Sequence, residues 1–511
     1  MMQNNAANNK RIAKNTLLLY VRLLFTMAIG LFTSRIILNV LGIDDYGVYN
    51  VVAGVVTMFS LLTGSLSAAI SRYLTYNLGK EEKHNLSLVF SMSLNIMLMM
   101  SLIITVLTEI IGVWFLNTHL NIPHDRLYAA NWVLQFSILT FVLNLINTPY
   151  NAAIIAHEHM SVFAYMSIFD VTMKLIIVYM LYISPIDKLI AYAALLAGVA
   201  ILNRLLYGIY CVRHFEECHY NVVHDKNLLK EMTSFASWNF FGNGAYLFNT
   251  QGVNIITNLF FGVATNAARG VSNQVEGIIK QFVTNFTLAI NPQITKSYAA
   301  GNLDYMHSLV CRSSKFCYLL MLFFAIPFMF EAEEIMRLWL KSYPPEAPLF
   351  LRLSLIGTMM DILGNSPAIA AWATGNIKRY YIYVASVGCL VFPLSWLAFQ
   401  LGMPAYMSYV IFIIIYIAVL FTKLFVIKGL IDFSIKRFCK EVLLIVIETT
   451  IVSVAFPFIF YMFLERNMLN SLIIIGISLL SCIISIYIVG LSFSERKKIT
   501  ILVYNKIKDI L

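Results

Sequence analysis

Apolar stretches long enough to cross a bilayer, separated by short polar or charged turns, fill this sequence almost from end to end. A hydrocarbon core of about 30 Å needs ~20 apolar residues per helix. In lipid every backbone polar group must be satisfied internally, so only helices and closed barrels can span, and windows of this length select helices. Charged residues make up 12% of the 511, about half the share of a soluble domain. That excludes a cytosolic globular enzyme, a disordered chain and a disulfide-rich secreted module. The seven cysteines form no CxxC pair, and most sit inside apolar segments as small hydrophobes. Neither a disulfide framework nor a metal site is expected, and no cofactor.

Splitting the apolar stretches at charge clusters and Pro/Gly turns yields fourteen windows: 16–40, 47–71, 86–115, 127–156, 160–183, 188–212, 232–261, 264–291, 308–330, 347–374, 378–400, 404–427, 440–463 and 468–491. Residues 3–9 are rich in Asn and precede Lys10, Arg11 and Lys14 with no small-residue cleavage site, so they read as a cytoplasmic tail. With that end inside, the inner segments hold 23 Lys and Arg. The outer loops hold six: Arg126, Lys188, Arg337, Lys341, Arg352 and Arg466. The excess of cations inside supports fourteen spans with both ends cytoplasmic, independently of hydropathy.

Three faint self-matches share nearly one offset. Gly42 to Gly47 resembles Gly262 to Ala267 (shift 220), Tyr76-x-x-Gly79 matches Tyr298-x-x-Gly301 (222), and Pro149-x-x-Ala152-Ala153 matches Pro367-x-x-Ala370-Ala371 (218). Six spans per repeat preserve orientation, so the halves are expected to be parallel repeats about an axis along the membrane normal. The expectation is an all-α integral membrane protein: one six-helix lobe in 1–218, a second in 219–430, and a helix pair with a cytoplasmic tail in 431–511. The charged stretch Arg213–Lys230 is the expected seam.

The exceptions to apolarity are ordered. On the eighth window Arg269, Asn273, Glu276, Lys280, Thr284, Thr287 and Asn291 recur at three- and four-residue spacing, which is one helical face. Three charges facing lipid would cost roughly 8–10 kcal/mol even on the lenient insertion scale, so this stripe must face protein or water. Comparable faces are Asn239, Asn243, Tyr246, Thr250 and Asn254 on the seventh, Ser354, Thr358, Asp361 and Asn365 on the tenth, and Arg22, Thr26, Gly30 and Thr33 on the first. For a single Asn or Thr the plainer reading is an interhelical hydrogen bond worth ~0.6–2 kcal/mol. Seven positions in register exceed what such glue needs.

Glu276 and Lys280 have the i,i+4 spacing that lets them neutralise each other, which leaves Arg269 as a candidate free cation. Asp170 and Lys174 share that spacing and read as a local salt bridge. Arg35 and Arg204 lie near helix ends, where a long side chain can snorkel. Arg22 and Arg269 lie on the stripes, and a planar guanidinium fork suits phosphate oxygens. An Arg-bearing cavity lined by Asn, Thr and Tyr suits a substrate with an anionic head and many hydroxyls. Asp361, Asp170 and Glu276 are the mid-membrane acids available to carry a coupling ion.

The run from Asn15 to Arg22, the turn from Ser34 to Tyr49 with its Leu-Gly-x-x-x-Tyr-Gly-x-Tyr pattern, and Ala69 to Arg72 resemble the bacterial polysaccharide repeat-unit flippases. These O-antigen and capsule transporters belong to the multidrug/oligosaccharidyl-lipid/polysaccharide exporter superfamily. The resemblance implies an inner-membrane protein that moves an undecaprenyl-diphosphate-linked oligosaccharide between leaflets by alternating access. Polysaccharide polymerase and chain-length proteins are the implied partners; no nucleic acid is involved. On this resemblance Arg22 and Arg269 would hold the diphosphate. Asn239, Asn243, Tyr246, Asn254 and Asn273, with Glu276 and Lys280 beside them, would line the sugar cavity.

Two rivals remain. A cation-coupled drug exporter of the same superfamily should show unpaired acids in the first lobe, where the sequence offers Asp170 and Glu109. A membrane polymerase or ligase needs a sizeable outer loop; the longest expected, about Glu331–Glu346, is too short for a catalytic domain. His157-Glu158-His159 is not an HExxH site and reads as a solvated inner turn, and no P-loop is present. The chain is therefore expected to be no enzyme.

Overall fold

The computed structural model describes residues 2–57, 59–118, 122–223, 225–340, 343–465, 467–493 and 495–497. Lys341, Arg466 and the tail cations from Lys498 onward lie outside them, as do the side chains of Lys10, Lys14, Arg35 and Lys83. All regular structure among the described residues is helical. The helices are α1 (Met2–Thr57), α2 (Ser60–Gly79), α3 (Lys83–Leu107), α4 (Val113–Thr118), α5 (Leu127–Ala156), α6 (Met160–Met180), α7 (Lys188–His214), α8 (Lys226–Ala299) and α9 (Leu303–Leu340). They continue with α10 (Ala347–Leu363), α11 (Asn365–Ala373), α12 (Ile377–Gly388), α13 (Val391–Gln400), α14 (Met407–Ile431), α15 (Ile435–Phe438), α16 (Leu444–Phe463) and α17 (Met468–Ser485). Several starts are fixed by acceptor side chains: Asp187 and Asp225 each take two backbone N–H groups at the head of α7 and α8, and Asn467 caps α17.

Ten helical stretches among the described residues are long and apolar enough to cross a membrane. They coincide with the third to sixth and ninth to fourteenth expected windows. The other four windows fall in α1, α2 and α8; in α8 the polar faces lower the hydropathy, and the stretches in α1 and α2 include residues or side chains outside those described. The second window, 47–71, is not one unbroken helix. α1 runs to Thr57 and α2 starts at Ser60, and Phe59 N–H donates to Val56 O (3.2 Å). The expected outer loop at 331–346 is also largely helical, because α9 continues to Leu340 across a break at Glu331. Arg352 makes that break tolerable: its guanidinium donates to Met329 O (2.9 Å) and Phe330 O (3.2 Å), carbonyls next to the break, and forks onto Glu333.

The internal repeat is visible in the backbone. Gly42 has φ 81° and ψ 170°, and Gly262, 220 residues on, has φ 82° and ψ −173°. This region is open essentially to glycine alone, so each glycine turns the chain between two helical arms. Two further left-handed positions repeat at nearly the same offset: Glu81 (φ 61°) with Gly301 (72°), and Glu158 (62°) with Gly375 (80°). The matched tyrosines Tyr76 and Tyr298 meet each other, ring centroids 6.2 Å apart.

By its contacts the chain divides into two compact units, one holding the residues up to Gly244 with Thr295–Gly301, the other Ala245–Ile294 with the residues from Asn302 onward. In the first, Val48, Val52 and Val56 of α1 pack on Ala129, Ala130, Val133 and Leu134 of α5 and on Leu189 and Ala193 of α7. Arg126 bridges Asp45, just after the Gly42 break, and Asp187, the cap of α7. The expected seam is itself packed here, with Tyr220 Oη donating to Asn95 (3.0 Å) and Asn221 N–H to Ser91 Oγ (3.1 Å). In the second unit, α10 and α14 pack against each other, and α9 carries the α16–α17 pair. Lys315 of α9 binds Glu495 (2.8 Å), and Tyr318 meets Thr450 (3.0 Å). Burial would raise the Glu495 carboxyl, but hydrogen bonds from Lys315 and Ser492 outweigh it and hold it below the ordinary value.

Candidate functional site

Within the second unit the arm of α8 after Gly262 carries the polar stripe past α10 and α14. Arg269 donates through Nε to Asn254 Oδ1 and through Nη1 to Ser408 Oγ (3.2 Å), and its guanidinium lies 4.8 Å from the Tyr409 ring centroid. All of these partners are neutral. Among the described residues no carboxylate lies within salt-bridge range of Arg269.

The expected neutralisation of Lys280 by Glu276 is corrected by the structure. Glu276 accepts from Thr358 Oγ1 (2.5 Å), while Lys280 turns to Asp361 (3.3 Å). Asp361, on α10, is shared with Lys423 of α14 (3.6 Å). Two lysines thus share one buried carboxylate across the α8–α10–α14 interface, which leaves the trio with a net positive charge of one. Lys423 was not singled out in the sequence. A charge inside an apolar window is itself a signal, and Lys423 is the one charge within 404–427. Ser408 and Tyr409 carry no such signal.

Tyr246, Asn254, Arg269, Asn273, Glu276, Lys280, Ser408 and Tyr409 line one cavity of about 280 Å³. The charged groups in and beside it are Arg269, Lys280 and Lys423 against Glu276 and Asp361, a net excess of one positive charge. The stripe does not continue as cavity wall. Thr284 and Thr287 bond back to the carbonyls of Lys280 and Val283, and Thr287 is buried against Cys317. Asn239 and Asn243 do not line this cavity: Asn243 Nδ2 donates to Asn239 Oδ1 (2.7 Å), and both belong to the first unit.

The first unit treats its polar residues differently. Arg22 donates to Ser167 Oγ (3.3 Å) and lies 4.6 Å from the Phe163 ring centroid. Asp170 binds Lys174 (2.7 Å), the local pair read from the spacing, and also accepts from Asn203 (2.7 Å). Arg204 stacks on Tyr150 at 4.2 Å. A smaller cavity of about 140 Å³ is lined by Tyr49, Phe136, Ser137, Thr140 and Asn144, among others, with no charged residue.

The turn at 157–159, expected to be solvated, is so only in part: His159 is exposed, but Glu158 is buried. The left-handed Glu158 points inward, its side chain fully buried, and binds Arg11 (2.8 Å) and Lys296 (2.7 Å). His157 binds Glu217 (2.5 Å) and stacks on Phe215. Burial and the neighbouring cations hold the His159 imidazole below its ordinary pKa. A three-residue turn hides these partners because they come from segments over 50 residues away. No group of three or more His, Cys, Asp or Glu among the described residues could hold a metal.

A family model described as polysaccharide biosynthesis protein matches residues 12–298. No curated protein matches the sequence significantly. Several solved structures share the fold. A MATE transporter in its straight conformation superposes with a TM-score of 0.71 at 11% identity, over 83% of this chain and 96% of that one. An outward-facing multidrug resistance MATE transporter of the MOP superfamily gives 0.69 at 11% identity, over 82% and 96%. A MOP-superfamily transporter from Pyrococcus furiosus, for which reversed pocket polarity suggests a different function, gives 0.63 at 12% identity, over 82% and 96%.

Proposed function

The chain belongs to the polysaccharide biosynthesis protein family, and from that premise we propose that it moves an undecaprenyl-diphosphate-linked oligosaccharide from the cytoplasmic to the outer leaflet of a bacterial inner membrane. Its fold is that of the MOP-superfamily transporters, which supports transport by alternating access. The observation that carries the substrate class is Arg269: a guanidinium on a cavity wall, oriented by Asn254, Ser408 and Tyr409, with its charge left for a ligand. Neutral partners fix the fork without cancelling it, so a diphosphate gains two parallel charge-assisted bonds. Lys280, pinned by Asp361, adds positive potential without being free to move. Tyr246 and Asn273 offer hydroxyl and amide groups to sugars, while Asn254, also expected there, is engaged by Arg269 and Gln251. Arg22 is a further candidate ligand for a diphosphate. Both termini would be cytoplasmic, with polymerase and chain-length proteins receiving the product.

Translocation in proteoliposomes tests this reading. Arg269→Ala with Arg22→Ala should abolish transport of the lipid-linked oligosaccharide, and unchanged transport in that variant sinks the diphosphate role. Coupling to an ion at Asp361 or Asp170 would require displacing a lysine from the carboxylate; loss of gradient dependence in Asp361→Asn would support it.

The shared fold with MATE transporters also favours a cation-coupled drug exporter. Against it, Asp170 in the first unit is already engaged by Lys174 and Asn203. Efflux of a cationic dye from a pump-deficient strain expressing the chain, unaffected by Arg269→Ala, would favour the exporter.

A further inference from the structure

A second cavity, about 440 Å³, lies beside the Arg269 cavity and is lined by both arms of α8 on either side of Gly262. Five of its eight lining residues are carboxamides (Gln251, Asn254, Asn258, Asn266 and Asn273) and none is charged. The two cavities share Gln251, Asn254 and Asn273, so they form one continuous trough. Asn254 is committed at both ends, accepting from Arg269 and donating to Gln251 (3.1 Å). Among the described residues the carboxamides of Asn258, Asn266 and Asn273 have no hydrogen-bond partner in the protein. Lipid cannot supply one.

The chemistry of these three groups narrows what can. Each offers two donors and two acceptors without net charge, which matches hydroxyl and acetamido groups that both give and take hydrogen bonds. An anion would find no cation here, and an apolar tail would leave the amides unsatisfied. Position orders the trough. Asn258 and Asn266 stand four residues from Gly262, Arg269 seven and Lys280 eighteen, or about 6, 10 and 27 Å along helix at 1.5 Å per residue. Arg269 therefore stands between the Asn258 and Asn266 amides and the Lys280 end, with Asn273 on its far side.

We propose that the carboxamide pocket at the Gly262 turn is a neutral-sugar subsite, holding the sugar nearest the diphosphate, with Asn258 and Asn266 as its specificity residues. The proposal rests on the diphosphate role of Arg269 above. The test uses the full-length protein in nanodiscs with two probes, farnesyl diphosphate and farnesyl-diphosphoryl N-acetylglucosamine, titrated by microscale thermophoresis. The sugar should tighten binding by about 30- to 150-fold, as expected of two to three neutral hydrogen bonds. Asn258→Leu with Asn266→Leu should erase that increment and leave the bare diphosphate unaffected, while Asn258→Gln with Asn266→Gln should restore part of it. Equal affinity for the two probes in the unaltered protein overturns the subsite while the diphosphate reading stands. Equal loss of both probes in the leucine variant also overturns it, since the amides would then be structural. Failure of the bare probe to bind sinks the diphosphate reading and this one with it.

Discussion

The Gly42 and Gly262 turns have nearly the same backbone and opposite uses. At Gly42 the chain turns into Asp45, which Arg126 ties to the cap of α7, so the break is anchored by an ion triad. At Gly262 the two arms present carboxamides to a cavity, and Asn258, Asn266 and Asn273 have no protein partner among the described residues. The same contrast runs through the charges. Asp170 of the first unit is satisfied by its own helix and a neighbour, whereas Asp361 of the second sits between lysines from two other helices, beside an Arg269 whose hydrogen-bond partners among the described residues are neutral. A duplicated backbone device can hold rigid structure in one copy and a ligand surface in the other, because the turn requires only glycine and leaves the flanking side chains unconstrained.

The sharpest way to break this comparison is to remove the two aspartates in turn. Asp361→Leu leaves Lys280 and Lys423 without their counter-charge and should cost about 3–5 kcal/mol, read as a fall in the thermal unfolding temperature of the purified protein. Asp170→Leu, where the lysine is nearly half exposed, should cost no more than ~1 kcal/mol. Equal losses would erase the distinction between the units.

Glu158→Gln tests whether the first unit's charges are structural. Weakening a buried carboxylate bound by two cations should cost about 1.5–3 kcal/mol, with ligand affinity unchanged. A change in affinity alone would show that this clamp belongs to the site.

Next come the glycines. Gly42→Ala and Gly262→Ala each force a side chain into strained backbone, at about 1–3 kcal/mol, and nothing lies within 4 Å of either added Cβ. Similar destabilisation is therefore expected from backbone strain alone. Only Gly262→Ala should also weaken substrate binding, measured by the same titrations.

The smallest effect should come from Glu495. Its folded pKa is depressed, so its contribution is present above the unfolded value and is lost as pH falls through the folded one. Glu495→Gln should therefore flatten the unfolding temperature below about pH 4.3, near the free glutamate value, and leave it slightly lower at pH 7.

Much of the fold could be read directly. Long apolar runs with charges between them located the ten apolar helices, because hydropathy and helix length are properties of contiguous sequence. The faint matches at an offset near 220 pointed to glycines that share an unusual conformation. The Asp170–Lys174 pair was legible for the same reason, being contained within one turn of helix. Lys280 was assigned to the wrong acid because helical spacing names the nearest neighbour on the same helix and is blind to α10 and α14. Glu158 looked solvated because its partners, Arg11 and Lys296, lie 147 and 138 residues away. Asn239 and Asn243 shared a face with the cavity residues, yet they bond each other, since a stripe on a helix this long passes several environments.

The sequence by itself determined that this chain is a helical membrane protein with an internal repeat and a few polar faces lipid would not accept, because burial in lipid and helical periodicity act locally along the chain. Only the tertiary structure decided which of those polar groups cancel one another and which are left for a ligand. Counter-charges and hydrogen-bond partners are chosen across helices, where distance in space is unrelated to distance in sequence.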